Sequence, residues 1–419
     1  MRLIYTIIYY LSLPFILLRL LYRSRHNKAY RKRWCERFCF ISVSEKKSIW
    51  IHAVSVGETL AAIPLIQKII GKYSENFTIV VTTTTPTGSL LVTQHLKNQV
   101  THVYAPFDLP AIVARFLKRT RTVFCIIMET ELWPNVLHAC QRKQIPVMLA
   151  NGRLSERSFA RYQHIRNVTQ HMLNAFHTVA TQSVQDGKRY VTLGLDSKKL
   201  IVAGNIKFDL QIPDKMIAQG KELRASIKKK FVLIAASTHD GEESILLHAF
   251  KMLREKTPDL LLILAPRHPS RTEKVLTLCS DFHAQQRSHK NNIESNTDIL
   301  LVDTIGELIL FYAASDIAFV GGSLVSVGGH NMLEPAALGL PIIAGPHVQN
   351  FMEISTLLKN AGALLIVSDA NELSDAVFAL LEATQLREKM GQNGQKVVGE
   401  NRGALTKHLA CVENMLNAP

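Results

Sequence analysis

The sequence has 419 residues, of which 47% are hydrophobic and 20% are charged. This length exceeds one ordinary globular domain, so we expect two domains or three. The composition excludes a disordered chain, and also a polytopic membrane protein, which would need several long uncharged apolar segments. The six cysteines are too few for a disulfide framework and lack zinc-ligand spacing, which favours a reducing compartment.

The basic charge is concentrated at the N-terminus. The formal net charge is +15, and residues 1–40 contribute +8 of it, because they contain nine Lys or Arg and a single acidic residue, Glu36. The rest of the chain is only mildly basic, so we expect no nucleic-acid partner. The concentration of positive charge in residues 1–40 instead bears on the contacts of the N-terminal segment alone.

An apolar segment at residues 3–22 contains one charge, Arg19, and is just long enough to span about 30 Å of hydrocarbon. Most of the nearby positive charges follow this segment, whereas a cleaved signal peptide would have them before it. No small-residue cleavage site appears after the segment either. The sequence therefore predicts an uncleaved membrane anchor over 1–22. The basic juxtamembrane segment 23–46 places the body on the cytoplasmic side by the positive-inside tendency. Pro14 leaves open a helix lying in the interface of an anionic membrane, and a buried core helix is a third alternative.

Short β-branched apolar segments alternate with helical patterns in two series, one over 47–205 and one over 206–392. Such near-continuous apolar strands predict parallel sheets covered on both faces. We therefore expect an α/β fold of two Rossmann-like domains facing each other across a cleft. Ligands would bind at the carboxyl ends of the strands. Residues 393–419 are predicted to form a C-terminal helix that packs back on the first domain.

Three charged residues in the first half follow predicted strands. Glu58 lies in HAVSVGE at the start of a helix, Glu129 in METELWPN at a strand end, and Lys207 in NIKFD near the domain crossing. Burying a carboxylate destabilises the fold unless the group is paired with a cation or has a function. We therefore predict that Glu58 and Glu129 share a functional site. The alternatives are a carboxylate that complements the helix dipole for Glu58 and a solvated surface lysine for Lys207.

The second half contains loops typical of an anion site. A Gly-rich segment at 321–335 precedes a helix whose amides could hold a phosphate, and APRHPSR at 265–271 follows a strand. The segment fits neither the dinucleotide nor the Walker fingerprint, and the chain has no Asp-x-Asp for Mg²⁺. Five histidines lie in separate loops without ligand spacing: His52, His239, His268, His330 and His347. We therefore expect no metal site.

The motifs together resemble the Kdo (3-deoxy-D-manno-octulosonic acid) transferases, glycosyltransferases that act on lipid A precursors. The matching motifs run almost from end to end: AYRKRW (29–34), HAVSVGETLAAIPL (52–65), METELWPN (128–135), IKFD (206–209), STHDGEES (237–244), APRHPSR (265–271) and GGHNMLEPAA (328–337). Two positions depart from the family pattern, Met332 where proline is common and Gly152 where alanine is common. Neither departure removes a charged group.

The resemblance implies the GT-B fold, CMP-Kdo as donor, lipid IVA as acceptor, inverting transfer without a cofactor or a metal, and the bacterial inner membrane. It implies that Glu58 is the proton acceptor and that Glu129 and Lys207 stabilise the transition state. It also implies CMP contacts in the second domain: Pro266, Arg267, Ile305, Gly306, Glu307, Asn331, Met332, Leu333 and Glu334. The number of Kdo units transferred stays open.

Two other functions remain possible on the sequence. A nucleotide-sugar epimerase could share the fold, because a fold does not fix a function, but it would need no membrane anchor. A membrane-tethered binding protein would bind its ligand without turnover, and it would leave the Glu58 and Glu129 pair unexplained.

Overall fold

The computed structural model describes residues 2–289 and 292–416. Met1 and residues 417–419, parts of the predicted anchor and C-terminal helix, lie outside the described residues. The chain divides into two compact units: unit 1 comprises Met1–Asp209 and Arg402–Pro419, and unit 2 comprises Leu210–Asn401. Each unit contains a seven-stranded sheet in which the paired strands are parallel. The predicted α/β fold class of two Rossmann-like domains is confirmed.

Unit 1 has the strand order β3-β2-β1-β4-β5-β6-β7. Its strands are β1 (Ser48–His52), β2 (Thr78–Thr83), β3 (Thr101–Tyr104), β4 (Thr122–Met128), β5 (Val147–Gly152), β6 (Thr178–Thr181) and β7 (Leu200–Val202). Its helices before the domain crossing are α1 (Arg2–His26), α2 (Trp34–Arg37), α3 (Val56–Tyr73), α4 (Pro86–Leu96), α5 (Pro110–Thr120), α6 (Pro134–Arg142), α7 (Glu156–His164), α8 (Arg166–Asn174) and α9 (Val184–Thr192).

Unit 2 has the strand order β10-β11-β9-β8-β12-β13-β14. Its strands are β8 (Phe231–Thr238), β9 (Leu260–Pro266), β10 (Ala284–Gln286), β11 (Ile299–Leu301), β12 (Ile317–Val320), β13 (Ile342–Ala344) and β14 (Leu364–Ile366). Its helices are α10 (Asp214–Ser226), α11 (Glu242–Lys256), α12 (Thr272–Leu278), α13 (Leu308–Ala313), α14 (Leu333–Ala337), α15 (Met352–Asn360), α16 (Ala370–Glu382) and α17 (Thr384–Glu400).

The central strand β1 shows why the apolar runs become buried strands. All five of its residues are buried, and their side chains alternate between two hydrophobic clusters. Trp50 belongs to one cluster, whereas Ile49 and Ile51 belong to the other. Since successive side chains of a strand point to opposite faces, both faces of this sheet are covered by apolar side chains.

The C-terminal segment differs from the single helix predicted over 393–419. Helix α17 belongs to unit 2, and a separate helix, α18 (Ala404–Leu416), belongs to unit 1. Gly403 between them has φ +96°, a left-handed conformation that glycine adopts without a steric penalty. The Asp209 carboxylate accepts hydrogen bonds from Gly403 N and Leu405 N, both at 2.6 Å. Asp209 therefore fixes the start of α18 to the end of the first domain.

Helix α1 extends past the predicted anchor boundary at residue 22 and has two different faces. Its inner face packs on the core of unit 1: Tyr9, Leu13, Ile16, Leu17 and Leu20. Its outer face exposes large apolar side chains: Leu3, Ile4, Ile7, Ile8, Leu11, Phe15 and Leu18. By length and composition the helix is apolar enough to cross a membrane.

A polar contact fixes the N-terminal part of α1 to unit 1. The Thr6 hydroxyl and the Asn135 side chain are hydrogen-bonded at 3.0 and 3.1 Å. Asn135 N and Val136 N in turn donate to the buried Asp108 carboxylate at 3.1 and 2.9 Å. Contacts with the body thus extend along α1 from Thr6 to Leu20, a length of about 20 Å at 1.5 Å per residue.

Candidate active site

The strand order of unit 1 reverses between β1 and β4. In open parallel sheets, ligands bind outside the carboxyl ends of the strands at such a switch point. Glu58 lies in the first turn of α3, just after β1, and Glu129 directly follows β4. The two carboxylates predicted to share a site therefore lie where the topology favours one.

Glu58 is held by the N-terminus of α3. Ser55 is the N-cap residue, and its hydroxyl accepts a hydrogen bond from Glu58 N at 3.1 Å. The Glu58 carboxylate accepts one hydrogen bond from Val54 N at 2.7 Å and one from the Ser55 hydroxyl at 2.9 Å. This Ser-x-x-Glu arrangement is a variant of the capping box. Glu58 thus makes the contacts of a residue that caps the helix, which was the alternative to a catalytic role. The same contacts fix the orientation of its carboxylate.

The same carboxylate has an unusual protonation equilibrium. Glu58 is only 8% exposed, and burial raises its pKa to about 7, against the opposing effect of the hydrogen bonds from Val54 and Ser55. The negative charges of Glu131 and Glu129 raise the pKa further. A carboxyl group that ionises near neutral pH is suited to accept a proton.

Glu129 is a buried carboxylate between two cations. Arg153 Nε lies 2.9 Å from Glu129 Oε2, and Lys207 Nζ lies 3.8 Å from Oε1. Glu129 has φ +55°, a sterically strained conformation for a residue with a side chain. Among the described residues, no hydrogen bond reaches the buried Oε1. The nearby Lys207 ammonium group therefore compensates the charge on this oxygen without a hydrogen bond.

Lys207 lies on a short 3-10 helix, Ile206–Asp209, that a buried polar network holds in place. Asn205 Oδ1 accepts a hydrogen bond from Lys207 N at 3.1 Å, and Asn205 Nδ2 donates to Gln182 Oε1 at 3.0 Å. Gln182 Nε2 donates to the backbone oxygen of Asn151 at 2.9 Å, and Asn151 Oδ1 accepts from Ile206 N at 3.1 Å. The position of Lys207 thus depends on three buried amide side chains.

The network ends at His408 on α18. Asn151 N donates to His408 Nε2 at 2.8 Å, and His408 Nδ1 lies 2.7 Å from Ala404 O. Since Ala404 O can only accept, the ring is protonated at Nδ1 and accepts at Nε2. Burial lowers the pKa of His408, which favours this neutral form. The C-terminal helix therefore helps to position the segment that carries Lys207.

The sequence analysis did not identify Asn151, Gln182, His408 or Arg153 as functional residues. Asn151 and His408 are 257 positions apart, so no local pattern connects them. The sequence offered one signal for Arg153, its position just after a predicted strand, as for Glu129.

Trp133, at the N-cap position of α6, lies near the same carboxylates. Its Nε1 donates to Glu131 at 2.6 Å, and its ring meets the buried His52 ring edge to face at 4.7 Å. Burial raises the pKa of Glu131, while the hydrogen bond from Trp133 opposes this. Trp133 thus both packs and orients a carboxylate whose charge acts on Glu58.

In unit 2, the residues that the resemblance assigns to CMP lie at or beyond the carboxyl ends of three strands of one sheet. They fall at the end of β9 (Pro266 and Arg267), in the segment after β11 (Ile305, Gly306 and Glu307) and in the segment after β12 (Asn331, Met332, Leu333 and Glu334). The Ile305 side chain is 86% exposed, which leaves it open to contact a ligand. Met332 and Leu333 are buried, so neither is open to a ligand in this structure.

Two glutamates of these loops have protein partners. Glu307 forms an ion pair with Arg287 at 2.8 Å, and this hydrogen-bonded pair lowers its pKa. Glu334 Oε1 accepts a hydrogen bond from Asn331 Nδ2 at 3.0 Å, and burial raises the pKa of its carboxyl. Asn331 and Glu334 are therefore already oriented relative to each other.

Three backbone amides in the first part of the Gly-rich loop are bound to a carboxylate of the protein itself. The fully buried Glu242 carboxylate accepts hydrogen bonds from Gly322 N at 2.7 Å, Ser323 N at 2.9 Å and Leu324 N at 2.8 Å. These three amides are therefore not free to bind a phosphate, whereas the prediction for the amides of the helix that follows the loop is not affected by this contact and stays a prediction. A carboxylate from α11 already occupies the site, and it fixes the loop in place.

The buried network gives a prediction for stability. Replacing His408→Ala leaves a cavity and removes the acceptor for Asn151 N. We expect the free energy of unfolding to fall by about 3 kcal/mol in urea titrations. Lys407→Ala, at the exposed neighbouring position, should change it by less than about 0.5 kcal/mol. Equal effects of the two substitutions would contradict the assigned network.

Comparisons with known proteins identify the family. A family model described as 3-deoxy-D-manno-octulosonic-acid transferase matches residues 32–210, and one for glycosyl transferases group 1 matches residues 219–397. The chain is 43% identical to the 3-deoxy-D-manno-octulosonic acid transferase of Haemophilus influenzae, over 97% of each chain. It is 31% identical to that of Bordetella pertussis, over 88% of this chain and 87% of the other.

Solved structures support the fold alone. The UDP-GlcNAc 2-epimerase of Neisseria meningitidis matches with a TM-score of 0.58 at 15% identity, over 89% of this chain and 100% of the other. MurG of Acinetobacter baumannii matches with a TM-score of 0.57 at 12% identity, over 88% and 99%. These likenesses agree with a GT-B fold. The sequence identities assign the chain more narrowly: it belongs to the 3-deoxy-D-manno-octulosonic acid transferase family of glycosyltransferases.

Proposed function

We propose that the protein transfers Kdo from CMP-Kdo to lipid IVA in lipopolysaccharide synthesis, with inversion at the anomeric carbon. The observation that carries the proposal is the cluster of Glu58, Glu129 and Lys207 in unit 1, in a chain whose curated relatives are Kdo transferases. A solvated surface lysine would not lie 3.8 Å from the buried Glu129 carboxylate, and burial raises the pKa of the Glu58 carboxyl to about 7.

Glu58 is the proposed general base. Its carboxylate, oriented by Val54 N and the Ser55 hydroxyl, takes the proton of the acceptor sugar hydroxyl. The oxygen of that hydroxyl then attacks the anomeric carbon of Kdo, while the bond to the CMP phosphate breaks. Attack on the face opposite the leaving group inverts the configuration.

Lys207 and Glu129 are the proposed stabilisers of the transition state. Lys207 supplies a positive charge for the negative charge that develops during transfer, and Glu129 holds Lys207 and Arg153 in place. Charges fixed before the reaction lower its barrier because they need no reorganisation when it occurs. The hydrogen-bonded chain through Asn205 and Asn151 supports this positioning.

CMP-Kdo is proposed to bind at the carboxyl edge of the unit 2 sheet. Arg267 provides a cation there, and the Asn331 and Glu334 pair provides oriented polar groups for the nucleoside. The exposed Ile305 provides apolar contact area. No cofactor is required for this reaction, and we propose that transfer at this site needs no metal.

The contacts of α1 support an interfacial rather than a spanning helix. A helix upright in the bilayer would carry the polar groups packed along it, including Asn135 and Asp108, into hydrocarbon. A helix lying in the interface can bury its outer face while unit 1 stays outside the hydrocarbon. We propose this arrangement at the cytoplasmic face of the inner membrane, with the basic segment after α1 on anionic headgroups.

Replacing Glu58→Gln tests the base directly. Turnover should fall by about 100-fold or more, because general-base catalysis typically contributes that much. Glu75→Gln, at an exposed position, should leave turnover unchanged.

In the parent protein, kcat/KM should rise as pH increases toward about 7 and be constant above it, because only the deprotonated carboxylate accepts a proton. A Glu58→Gln variant within a few-fold of the parent, or a flat pH profile from pH 5, would show that Glu58 acts only as a helix cap.

Chelation tests the metal requirement. Because the chain lacks an Asp-x-Asp motif, turnover with purified CMP-Kdo should be unchanged in excess EDTA. The donor must be purified from the Mg²⁺-dependent enzyme used to make it. Loss of turnover that Mg²⁺ restores would refute metal-independent transfer.

Cysteine labelling distinguishes the two arrangements of α1. In a background with Cys35→Ser, which removes the exposed native thiol, Arg2→Cys should react with a membrane-impermeant maleimide only after spheroplasts are permeabilised. Glu75→Cys, on the body, should behave identically. Labelling of Arg2→Cys in intact spheroplasts would place residue 2 on the periplasmic side and establish a spanning helix.

A further inference from the structure

The strand order of unit 2 reverses between β8 and β12, and a histidine pair lies just beyond these two strands. His239 follows β8 and His330 lies in the loop after β12. Their Nε2 atoms are 2.8 Å apart and their ring planes differ by only 6°. Two nitrogens at this distance require one to donate and the other to accept. Histidines that look scattered in the sequence therefore form one hydrogen-bonded unit at the switch point.

Both loops that carry the pair are fixed to the same buried carboxylate. Glu242 Oε2 accepts hydrogen bonds from His239 N at 2.9 Å and from Gly322 N at 2.7 Å. Gly322 also leaves room for the second ring, because a Cβ atom at this position would lie 2.9 Å from His330 Cδ2. Glu242 and Gly322 thus hold the two imidazoles in register without any ligand.

The surroundings keep the free pair neutral. Burial lowers the pKa of His330 to about 4, and the charges of Arg267, His239 and His268 lower it further. Burial also lowers the pKa of His239; His268 and Arg267 act in the same direction, and Glu242 and Glu243 oppose it. The His268 ring lies 5.8 Å from that of His239. The pair therefore lies in the field of the Arg267 cation, which an anionic ligand would neutralise.

We propose that His239 and His330 form a proton-accepting pair that takes up a proton when the anionic nucleotide binds to unit 2. The proton comes from solvent and adds to Nδ1 of the ring that donates through Nε2. The resulting imidazolium keeps its hydrogen bond to the neutral partner ring, and no other bond changes. It supplies positive charge beside Arg267 for the phosphate. This inference rests on the proposed function, because it takes CMP as the nucleotide.

A histidine pair that supplies positive charge suits a site whose described residues include no group of side chains to bind a metal ion. Among the residues 2–289 and 292–416, no group of three histidine, cysteine or acidic side chains could hold a metal ion. The amides of Gly322, Ser323 and Leu324 are already bound to Glu242. These three amides thus contribute nothing to a phosphate, and a side-chain pair that becomes cationic only with ligand supplies charge while avoiding a partly buried charge in the free protein.

Calorimetric titration of the full-length protein with CMP tests the proposal. Heats measured at one pH in buffers of different ionisation enthalpy give the number of protons taken up. The parent protein should take up more protons per CMP bound than His330→Gln or His239→Gln does. Between pH 6 and pH 8, the affinity of the parent protein for CMP should also decrease by about tenfold more than the affinity of either variant. The ionisation of CMP itself contributes equally to all proteins, so the difference isolates the pair. His248→Gln, at an exposed position on α11, should match the parent.

The outcomes separate this proposal from the proposed function. CMP binding with equal proton uptake by the parent and both pair variants would overturn the role of the pair and leave Kdo transfer standing. Absence of CMP binding by the parent would overturn both. Thermal unfolding identifies a variant that fails to fold, and the other pair variant then provides the comparison.

Discussion

Glu129 carries a buried carboxylate between the cations of Arg153 and Lys207, and this charge balance fixes the geometry around it. An unpaired buried charge would cost several kcal/mol, so the segments that carry the two cations must stay close to Glu129. The Lys207 segment is held by Asn151 and Asn205, and it ends at Asp209, which fixes the start of α18. The C-terminal helix, the polar network and the strained backbone of Glu129 all serve one arrangement of charges.

The two-domain α/β architecture could be predicted because its cause is local. Strands buried on both faces need near-continuous apolar runs, and these are legible in the sequence, as in β1. The positions of Glu58 and Glu129 could be anticipated for the same reason, since residues after parallel strands meet at one edge of a sheet. Their proposed roles came from the family resemblance and stay predictions.

The errors and omissions have a common origin in contacts between distant residues. The hydrogen bonds from the Gly-rich loop to Glu242 could not be anticipated, because Glu242 lies 80 positions from Gly322. The C-terminal helix looked continuous because only three residues, 401–403, separate α17 from α18. His239 and His330 looked unrelated because 91 positions separate them. Hydropathy could not choose between a spanning and an interfacial α1 either, because both faces of the helix are apolar and only the fold shows which one packs on the body.

The most direct test of the account is to incubate the purified protein with CMP-Kdo and lipid IVA, and to measure CMP release and the mass of the lipid. We predict that rapid CMP release requires both substrates and that the lipid gains the mass of Kdo. CMP-Kdo that is bound but not consumed would instead indicate a binding protein, and an altered sugar nucleotide with unchanged lipid would indicate an epimerase. Either result would contradict the proposed transfer.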